Sequence, residues 1–316
     1  MKINSISFVA PAFNERPSLL ELIAELHQTG AKLDIPYEII IVDDGSNDGS
    51  FEFLKNQAGV DKKLHVINHR KKLGKATALY SAFQKARGEI IITVDADLQN
   101  DPAEIPKMLA KLDEGYDVVS GWKFDRPDNL EKRLPSKFFN FVTRKLSGLQ
   151  LHDFNSAIKV YTQESARSLK LYGELHRYIP VLLSSQGFKI TEVPTHTRQR
   201  KYGETKYKGK RYLRGLLDLL TVLFLTRYDR RPLHLFGGLG LFLGLVGTIV
   251  LIYLAILHFG FNQSIGTRPL LMFGIFVALV GLQLTFTGLL AELLVRSENH
   301  NNLPIRAEWN GDEPLV

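Results

Sequence analysis

The sequence predicts an α/β fold: a mostly parallel sheet with helices on both faces, then amphipathic interfacial helices and a two-helix transmembrane hairpin. Three observations carry this expectation. Short β-branched runs alternate with amphipathic helical stretches over the first two thirds of the chain. Those runs end in polar clusters. The last third holds two apolar stretches without a charge, 233–257 and 269–290.

The chain has 316 residues, 45% hydrophobic and 23% charged, ample for a full α/β domain and something more. There is no cysteine, which excludes disulfides, zinc–thiolate sites and thiol catalysis. The net charge of +7 suits nucleic acid, an anionic membrane or a phosphorylated substrate. The first residues lack a long apolar core before a cleavage site, so no signal peptide is expected.

Residues 6–10 form a short apolar run closed by Pro11, a first strand, and Phe13, Asn14 and Glu15 follow in its loop. Pro17 and Gly30 bracket an amphipathic helix over 18–29. Residues 38–42 read as the next strand, ending in the turn-rich acidic cluster that begins with Asp43 and Asp44. A short helix and a strand at 64–68 precede a basic loop that leads through Lys75 into a helix stopped by Gly88. Residues 90–94 are β-branched and end at Asp95-Ala96-Asp97-Leu98-Gln99. A helix over 102–114 and a strand over 117–121 complete this alternation. Asn14/Glu15, Asp43/Asp44, Lys75 and Asp95/Asp97 thus all follow carboxyl ends of successive strands, which lie on one edge of a parallel sheet. Two hard carboxylates at such an edge suit Mg²⁺ or Mn²⁺ carrying a diphosphate, although an isolated Asp-x-Asp is more often a capped turn. Neither a P-loop nor a dinucleotide fingerprint occurs.

Beyond Gly121 the pattern changes to a basic loop over 122–134. A helix over 136–149 follows, either a core helix or, from its lysines and arginine beside large aromatics, one at a membrane interface. Strands at 157–161 and 189–193 flank a helix at 174–185. The basic run 197–211 reads as a mobile loop, serving as a lipid-headgroup anchor, as a phosphate clamp, or as both. A helix over 213–228 then feeds the first span. Each span is long enough for a ~30 Å hydrocarbon core. Arg227, Arg230 and Arg231 before the first span and Arg296 after the second place both termini in the cytoplasm by the positive-inside rule. Gly237, Gly238, Gly240, Gly244 and Gly247 give the first span small faces that suit hairpin packing or a homo-oligomer, or reflect the general glycine enrichment of membrane helices. The domains expected are 1–210 catalytic, 211–231 juxtamembrane, 232–295 the two spans (about 233–257 and 269–294) and 296–316 a tail.

Pro11-x-x-Asn14-Glu15, Asp43-Asp44-Gly45-Ser46-x-Asp48-Gly49, Gly74-Lys75 and Asp95-Ala96-Asp97-Leu98-Gln99 resemble family 2 glycosyltransferases of the GT-A fold, a nucleotide-sugar-binding domain. His152-Asp153, His176-Arg177-Tyr178-Ile179-Pro180 and Arg200-x-x-Gly203-x-Thr205-Lys206-Tyr207, with the two spans, resemble the polyisoprenyl-phosphate branch. That branch includes bactoprenol glucosyltransferases and dolichol-phosphate mannose synthases. The resemblance covers nearly the whole chain. Thr205 stands where the family usually has Ser, and Asn100-Asp101 replaces a more common His-Pro or Pro.

The resemblance implies a metal-dependent hexosyltransferase at the bacterial inner membrane, with its catalytic domain cytoplasmic. Asp95, Asp97 and Gln99 would hold Mg²⁺ or Mn²⁺, and Pro11, Phe13, Asn14, Glu15, Asp43, Asp44, Lys75 and Asp95 the nucleotide sugar. Asp153 joins Asp95 and Asp97 as a catalytic carboxylate, acting as base or positioning group. Arg126, Arg133, Ser136, Arg200 and Lys206 are the candidates for the acceptor phosphate, since arginine matches phosphate oxygens bidentately. The reaction expected is inverting transfer of a hexose, glucose from UDP-glucose first, to undecaprenyl or another polyprenyl phosphate. GDP-mannose and an aminoarabinose donor are the alternatives.

A processive polysaccharide synthase would add spans and a Gln-x-x-Arg-Trp motif; the only tryptophans are Trp122 and Trp309, and neither lies in one. A catalytically silent membrane scaffold or transport partner would tolerate loss of the acidic pairs, and all are present. No nucleic-acid partner is expected, because the chain lacks aromatics interleaved on a basic strand face.

Overall fold

The computed structural model describes residues 3–124, 140–145, 147–199, 201–202, 231–266 and 269–298, with a few isolated positions besides. It divides into two compact units, Met1–Val222 and Leu223–Val316.

The first unit is built on a seven-stranded mixed sheet. In chain order the elements are β1 (Ile6–Ala12), α1 (Arg16–Leu33), β2 (Tyr37–Asp43), α2 (Ser50–Val60), β3 (Leu64–Asn68), α3 (Lys75–Lys85), β4 (Ile90–Thr93), α4 (Ile105–Asp113) and β5 (Val118–Lys123). After them come β6 (Lys159–Thr162), α5 (Gln163–Ser168), α6 (Ile179–Ser185) and β7 (Ile190–Thr195). The strand order is β3-β2-β1-β4-β6-β5-β7. β1, β2, β3 and β4 are parallel neighbours. Phe8, Val9 and Ala10 are all fully buried, as expected of a central parallel strand covered on both faces. Ile6, Phe8, Ala10 and Ala12 share one core with Leu19, Leu22 and Leu26 of α1 and Met108 and Leu112 of α4. α3 packs against β1 and β2.

The expected strands are present, each within a few residues of its predicted bounds. Two helices begin tighter than expected, with 3-10 turns at Pro102–Glu104 and Leu175–Tyr178. α5 was not foreseen, since six residues hold too few turns to show a period. β6 is antiparallel to both β4 and β5, with Thr93 opposite Lys159. The reason is topological. The excursion between β5 and β6 starts at the carboxyl edge of the sheet and returns to it, so β6 must run inward from that edge. The residues just before and at the start of β6 therefore join the polar clusters already gathered there. The excursion's helix is described only over 140–145 and 147.

The second unit contains α7 (Pro232–Phe261) and α8 (Pro269–Glu298), each of 30 residues, or ~45 Å at helical rise. Their most apolar windows have mean hydropathies of 2.6 and 2.1, and only 17% and 11% of those windows are buried. Core helices of a soluble domain would be mostly buried, so their apolar faces point outward. Both are long and apolar enough to cross a membrane. Of the α7 glycines named from sequence, Gly240 and Gly247 face the other helix, while a Cβ on Gly244 would meet nothing within 4 Å and one on Gly237 only Leu233 of its own helix. A Cβ on Gly281 would lie 2.3 Å from Gly244 N, and one on Gly247 2.5 Å from Ala278 N. One on Gly238 also meets nothing within 4 Å. Small residues here let the backbones approach, as in other membrane helix pairs. Glu292 accepts the Leu233 N–H at 3.2 Å, meeting one of the four donors that a helix start leaves unpaired.

Candidate active site

The β1 and β2 exits are tied together by side chains that cap each other's turns. Asn14, at φ 53°, donates its backbone N–H to Ser46 Oγ at 2.8 Å, and its Oδ1 accepts the Asn47 N–H at 3.0 Å. Pro11 sits within β1 opposite Val42. Phe13 carries the Lys72 ammonium 3.7 Å above its ring centroid, and Glu15 precedes α1. Gly45, at φ 71°, has no room for a side chain: a Cβ would lie 2.6 Å from the Lys71 carbonyl carbon.

Asp43 and Asp44, adjacent in sequence, face different tasks. Asp44 is 3% exposed. Its Oδ1 accepts Leu73 N–H at 2.8 Å and pairs with His69 Nδ1 at 2.9 Å, while Oδ2 accepts Gly74 N–H at 2.8 Å. It shapes the loop that delivers Lys75. Asp43 is fully buried, and its Oδ1 has no hydrogen-bond partner among the described residues. A buried acceptor left unmade costs about 1–3 kcal/mol, so Asp43 is the better candidate for a donor group on a ligand.

Lys75 opens α3 and its ammonium contacts Asp95 Oδ1. Burial pushes the Asp95 carboxyl up, but the Lys75 charge and hydrogen bond outweigh it and hold the group below its ordinary value. The turn after Asp95 is fixed from three sides. Ala96 O accepts the buried Ser18 hydroxyl at 2.6 Å, Asn100 Oδ1 accepts the Asp95 N–H at 3.4 Å, and Asp97 Oδ1 accepts the Gln99 N–H at 3.2 Å. Leu98 holds φ 60°, an unusual value for a branched side chain that a turn must enforce.

Among the described residues no group of three or more His, Asp or Glu gathers as a closed metal cage. Asp95, Asp97 and Gln99 instead follow β4 within one turn, and their side chains offer oxygen donors only. That set fits a hard cation such as Mg²⁺, which is commonly bound by one or two carboxylates together with substrate phosphates.

The residues around β6 supply the second side of the site. Asp153 is 3% exposed and accepts the Asn155 N–H at 3.1 Å. Glu192 on β7 accepts the backbone N–H groups of His152 at 2.8 Å and Asp153 at 3.5 Å, and its other oxygen pairs with His152 Nδ1. The His152 ring stacks on Trp122 with centroids 4.1 Å apart. Lys159, 2% exposed, donates to Ser156 O. Burial first, then repulsion from Lys75, pulls its ammonium down to about 7. Burial and the Lys75 charge likewise push His176 well below the ordinary histidine value.

Lys159, His176 and Glu192 had no assigned role from sequence. A signal existed for the first: Lys159 is the lone charge in the apolar run Ala157-Ile158-Lys159-Val160-Tyr161. Glu192 carried none, being 40 residues from its partner His152. The Asn100-Asp101 departure is structural, since Asn100 bridges to Thr197 and Asp101 pairs with Arg198 at 2.8 Å.

Of the residues predicted for the acceptor phosphate, Arg126, Arg133, Ser136, Arg200 and Lys206 all lie outside the described residues. The start of the basic run, expected as a mobile loop, is docked. Arg198 pairs with Glu25 at 2.5 Å, and Lys201 with Glu21 at 2.8 Å, both on α1. Their charge is spent on the fold.

A doubly covered sheet with an acidic pair at a central strand exit, a lysine beside it and a second acid opposite is the arrangement of a glycosyltransferase. The family described as glycosyl transferase family 2 matches residues 7–169, and the chain belongs to it. Among its relatives, dodecaprenyl-phosphate galacturonate synthase of Rhizobium johnstonii is 35% identical over 297 residues, covering 92% of this chain and 88% of the relative. Undecaprenyl-phosphate 4-deoxy-4-formamido-L-arabinose transferase of Yersinia enterocolitica is 32% identical over 301 residues, 94% and 90% of the two chains. Glucosyl-3-phosphoglycerate synthase from Mycobacterium tuberculosis, solved with Mn²⁺, uridine-diphosphate-glucose and phosphoglyceric acid, shares the fold. It has a TM-score of 0.54 at 20% identity and covers 70% of this chain and 80% of that one.

Proposed function

We propose that this glycosyltransferase moves a sugar from a nucleotide diphosphate donor to a polyprenyl phosphate, with inversion at the anomeric carbon, in a membrane-anchored form. The observation that carries the reading is the extent of the likeness. Relatives named for polyprenyl-phosphate acceptors match 92% and 94% of the chain, C-terminal helices included. The fold neighbour with a water-soluble acceptor matches 70%.

The chemistry follows from the groups at the edge. Asn14, Glu15 and Asp43 face the base and ribose, with the unpaired Asp43 Oδ1 accepting from the nucleotide. Asp95, Asp97 and Gln99 would hold a divalent cation, which when bound neutralises charge on the departing diphosphate. Lys75 keeps Asp95 ionised. The acceptor is a phosphate monoester with a second pKa near ~6, so at neutral pH it is largely dianionic and needs no strong base. Asp153, fixed by Glu192, orients the acceptor or the sugar. A lipid phosphate oxygen attacks the anomeric carbon, the bond to the donor's diphosphate breaks on the opposite face, and the nucleoside diphosphate leaves with that electron pair. An α-linked donor then yields a β-linked product. Arg126, Arg133, Ser136, Arg200 and Lys206 remain the proposed acceptor-phosphate set.

The two apolar helices tether the enzyme where its lipid acceptor resides, a proximity gain. The arginines flanking them favour a cytoplasmic catalytic unit. Gly240 and Gly247 pack against α8, which supports the hairpin reading for those two glycines and leaves a homo-oligomer to the outward faces of the helices. Glucose from UDP-glucose is the first donor reading, with GDP-mannose and an aminoarabinose donor as alternatives; the two relatives named above carry a uronate and a formamido-pentose in their names, which supports the modified-sugar alternative.

The test is transfer of label from a panel of nucleotide sugars to undecaprenyl phosphate by the purified protein. Labelled lipid that forms only with a divalent cation present is the expected result. Transfer to water-soluble acceptors alone overturns the reading.

A further inference from the structure

A cavity with room for about one water-sized group lies between β4, β6, α3 and residues 176–179. Its polar lining includes Lys75, Asn155, Ser156, Lys159 and His176, and no acidic side chain lines it. Lys159 is the unusual member. Its side chain is 98% buried by residue exposure of 2%, and an ammonium carries three donors. Among the described residues it donates one hydrogen bond, to Ser156 O. His176 Nδ1 is also buried, and also without a partner among the described residues. Buried polar groups are almost always paired. The unmet donors of Lys159 call for a ligand atom that accepts hydrogen bonds, and the neutral His176 ring beside it can donate or accept according to its tautomer. Water would meet a donor but would add no negative charge beside an ammonium that Lys75 repels and that Asp153 and Asp95, neither of them lining the cavity, only partly offset.

We infer that this cavity is a subsite for a carboxylate on the donor sugar, so that the donor is a nucleotide-linked acidic sugar of the hexuronate class. The inference rests on the donor reading above. One carboxylate oxygen fits the room available and can accept from Lys159, while the rest of the carboxylate stays at the mouth. A diphosphate, tetrahedral at each phosphorus, exceeds that room and has the Asp95–Gln99 turn to accommodate it.

The experiment measures donor binding and transfer with the full-length protein in detergent. UDP-galacturonate and UDP-glucuronate are compared with UDP-galactose and UDP-glucose, with undecaprenyl phosphate as acceptor. At least one acidic donor should bind about tenfold to a hundredfold more tightly than its neutral counterpart. Lys159→Met should reduce that ratio at least about tenfold while UDP itself still binds, which shows the variant is folded; Lys159→Arg should keep part of the preference. Equal or tighter binding of the neutral donors to the wild type overturns the inference. So does a Lys159→Met variant that loses UDP affinity in the same proportion, which would put the lysine on the diphosphate. The binding arm needs no turnover, so absent lipid transfer would count against the acceptor reading alone.

Discussion

The carboxylate of Asp44 accepts the backbone N–H of Gly74 at 2.8 Å, one residue before Lys75. It therefore acts on the site through Lys75, whose ammonium reaches Asp95. Asp44→Asn keeps the shape but removes the charge, and one end of the amide turns a donor toward a backbone donor. A loss of roughly 1.5–3 kcal/mol follows for a charge-assisted bond, about tenfold or more in kcat/KM. Because Asp44 and Lys75 act on one loop, Asp44→Asn and Lys75→Met should be less than additive. A double-mutant cycle on kcat/KM checks this, and strict additivity would count against the coupling.

Asp97 sits in the turn after β4. Asp97→Ala should abolish transfer while the protein stays folded and membrane-bound. EDTA should stop the wild type, and added Mn²⁺ or Mg²⁺ should restore it. Turnover that persists in chelator would remove the metal from the mechanism.

Much of this site was legible because apolar runs stop where polar clusters begin, and β1, β2 and β4 end where that pattern said. The direction of β6 was not legible, since a two-residue period reads the same both ways along a strand. That direction is what brings Asp153 and Lys159 to the same edge as Asp95. The division of labour between Asp43 and Asp44 was hidden too, because it depends on Leu73 and Gly74, about 30 residues on. The basic run reads as a headgroup anchor or a phosphate clamp, yet Arg198 and Lys201 are paired with α1; composition does not say which positive charges already have partners.

Glu192 offers a test of how Asp153 is held. It accepts the N–H groups of His152 and Asp153, so Glu192→Ala leaves two backbone donors unpaired and frees the acid to move. The expected result is a fall in kcat of about tenfold or more, with UDP affinity nearly unchanged and partial recovery in Glu192→Gln. A fall in UDP affinity equal to that in kcat would mean a general loss of structure instead.

The hairpin makes a position-specific prediction. Gly281→Ala places a methyl 2.3 Å from Gly244 N, so α7 and α8 must separate, at a cost of about 1–3 kcal/mol for overpacking. Gly238→Ala meets nothing within 4 Å and should be neutral or stabilising by up to ~1 kcal/mol. Thermal unfolding of the detergent-solubilised protein separates them. Equal midpoints for the two variants would deny the close contact.

Lys159 gives the protein a pH dependence whose sign differs between folding and binding. Its ammonium is pulled from 10.5 to about 7, chiefly by burial and then by Lys75, with Lys123 also repelling it and Asp153 and Asp95 opposing the shift; His176 stands on the same cavity. Below about pH 7 the folded and unfolded chains both hold the proton, and the burial penalty is full. Between about 7 and 10.5 the unfolded chain keeps a proton that the folded chain has released. Stability from this group therefore rises with pH across that window, by up to ~1.4 kcal/mol per unit. Relative to Lys159→Met, the wild type should gain in thermal midpoint from pH 7 to pH 9. Affinity for an acidic donor should move the other way, because the deprotonated amine offers the carboxylate no charge: it should fall by up to about tenfold per unit above pH 7, with UDP affinity unaffected by this group. Parallel pH profiles in wild type and Lys159→Met, for both stability and acidic-donor binding, would mean that Lys159 does not titrate in this range.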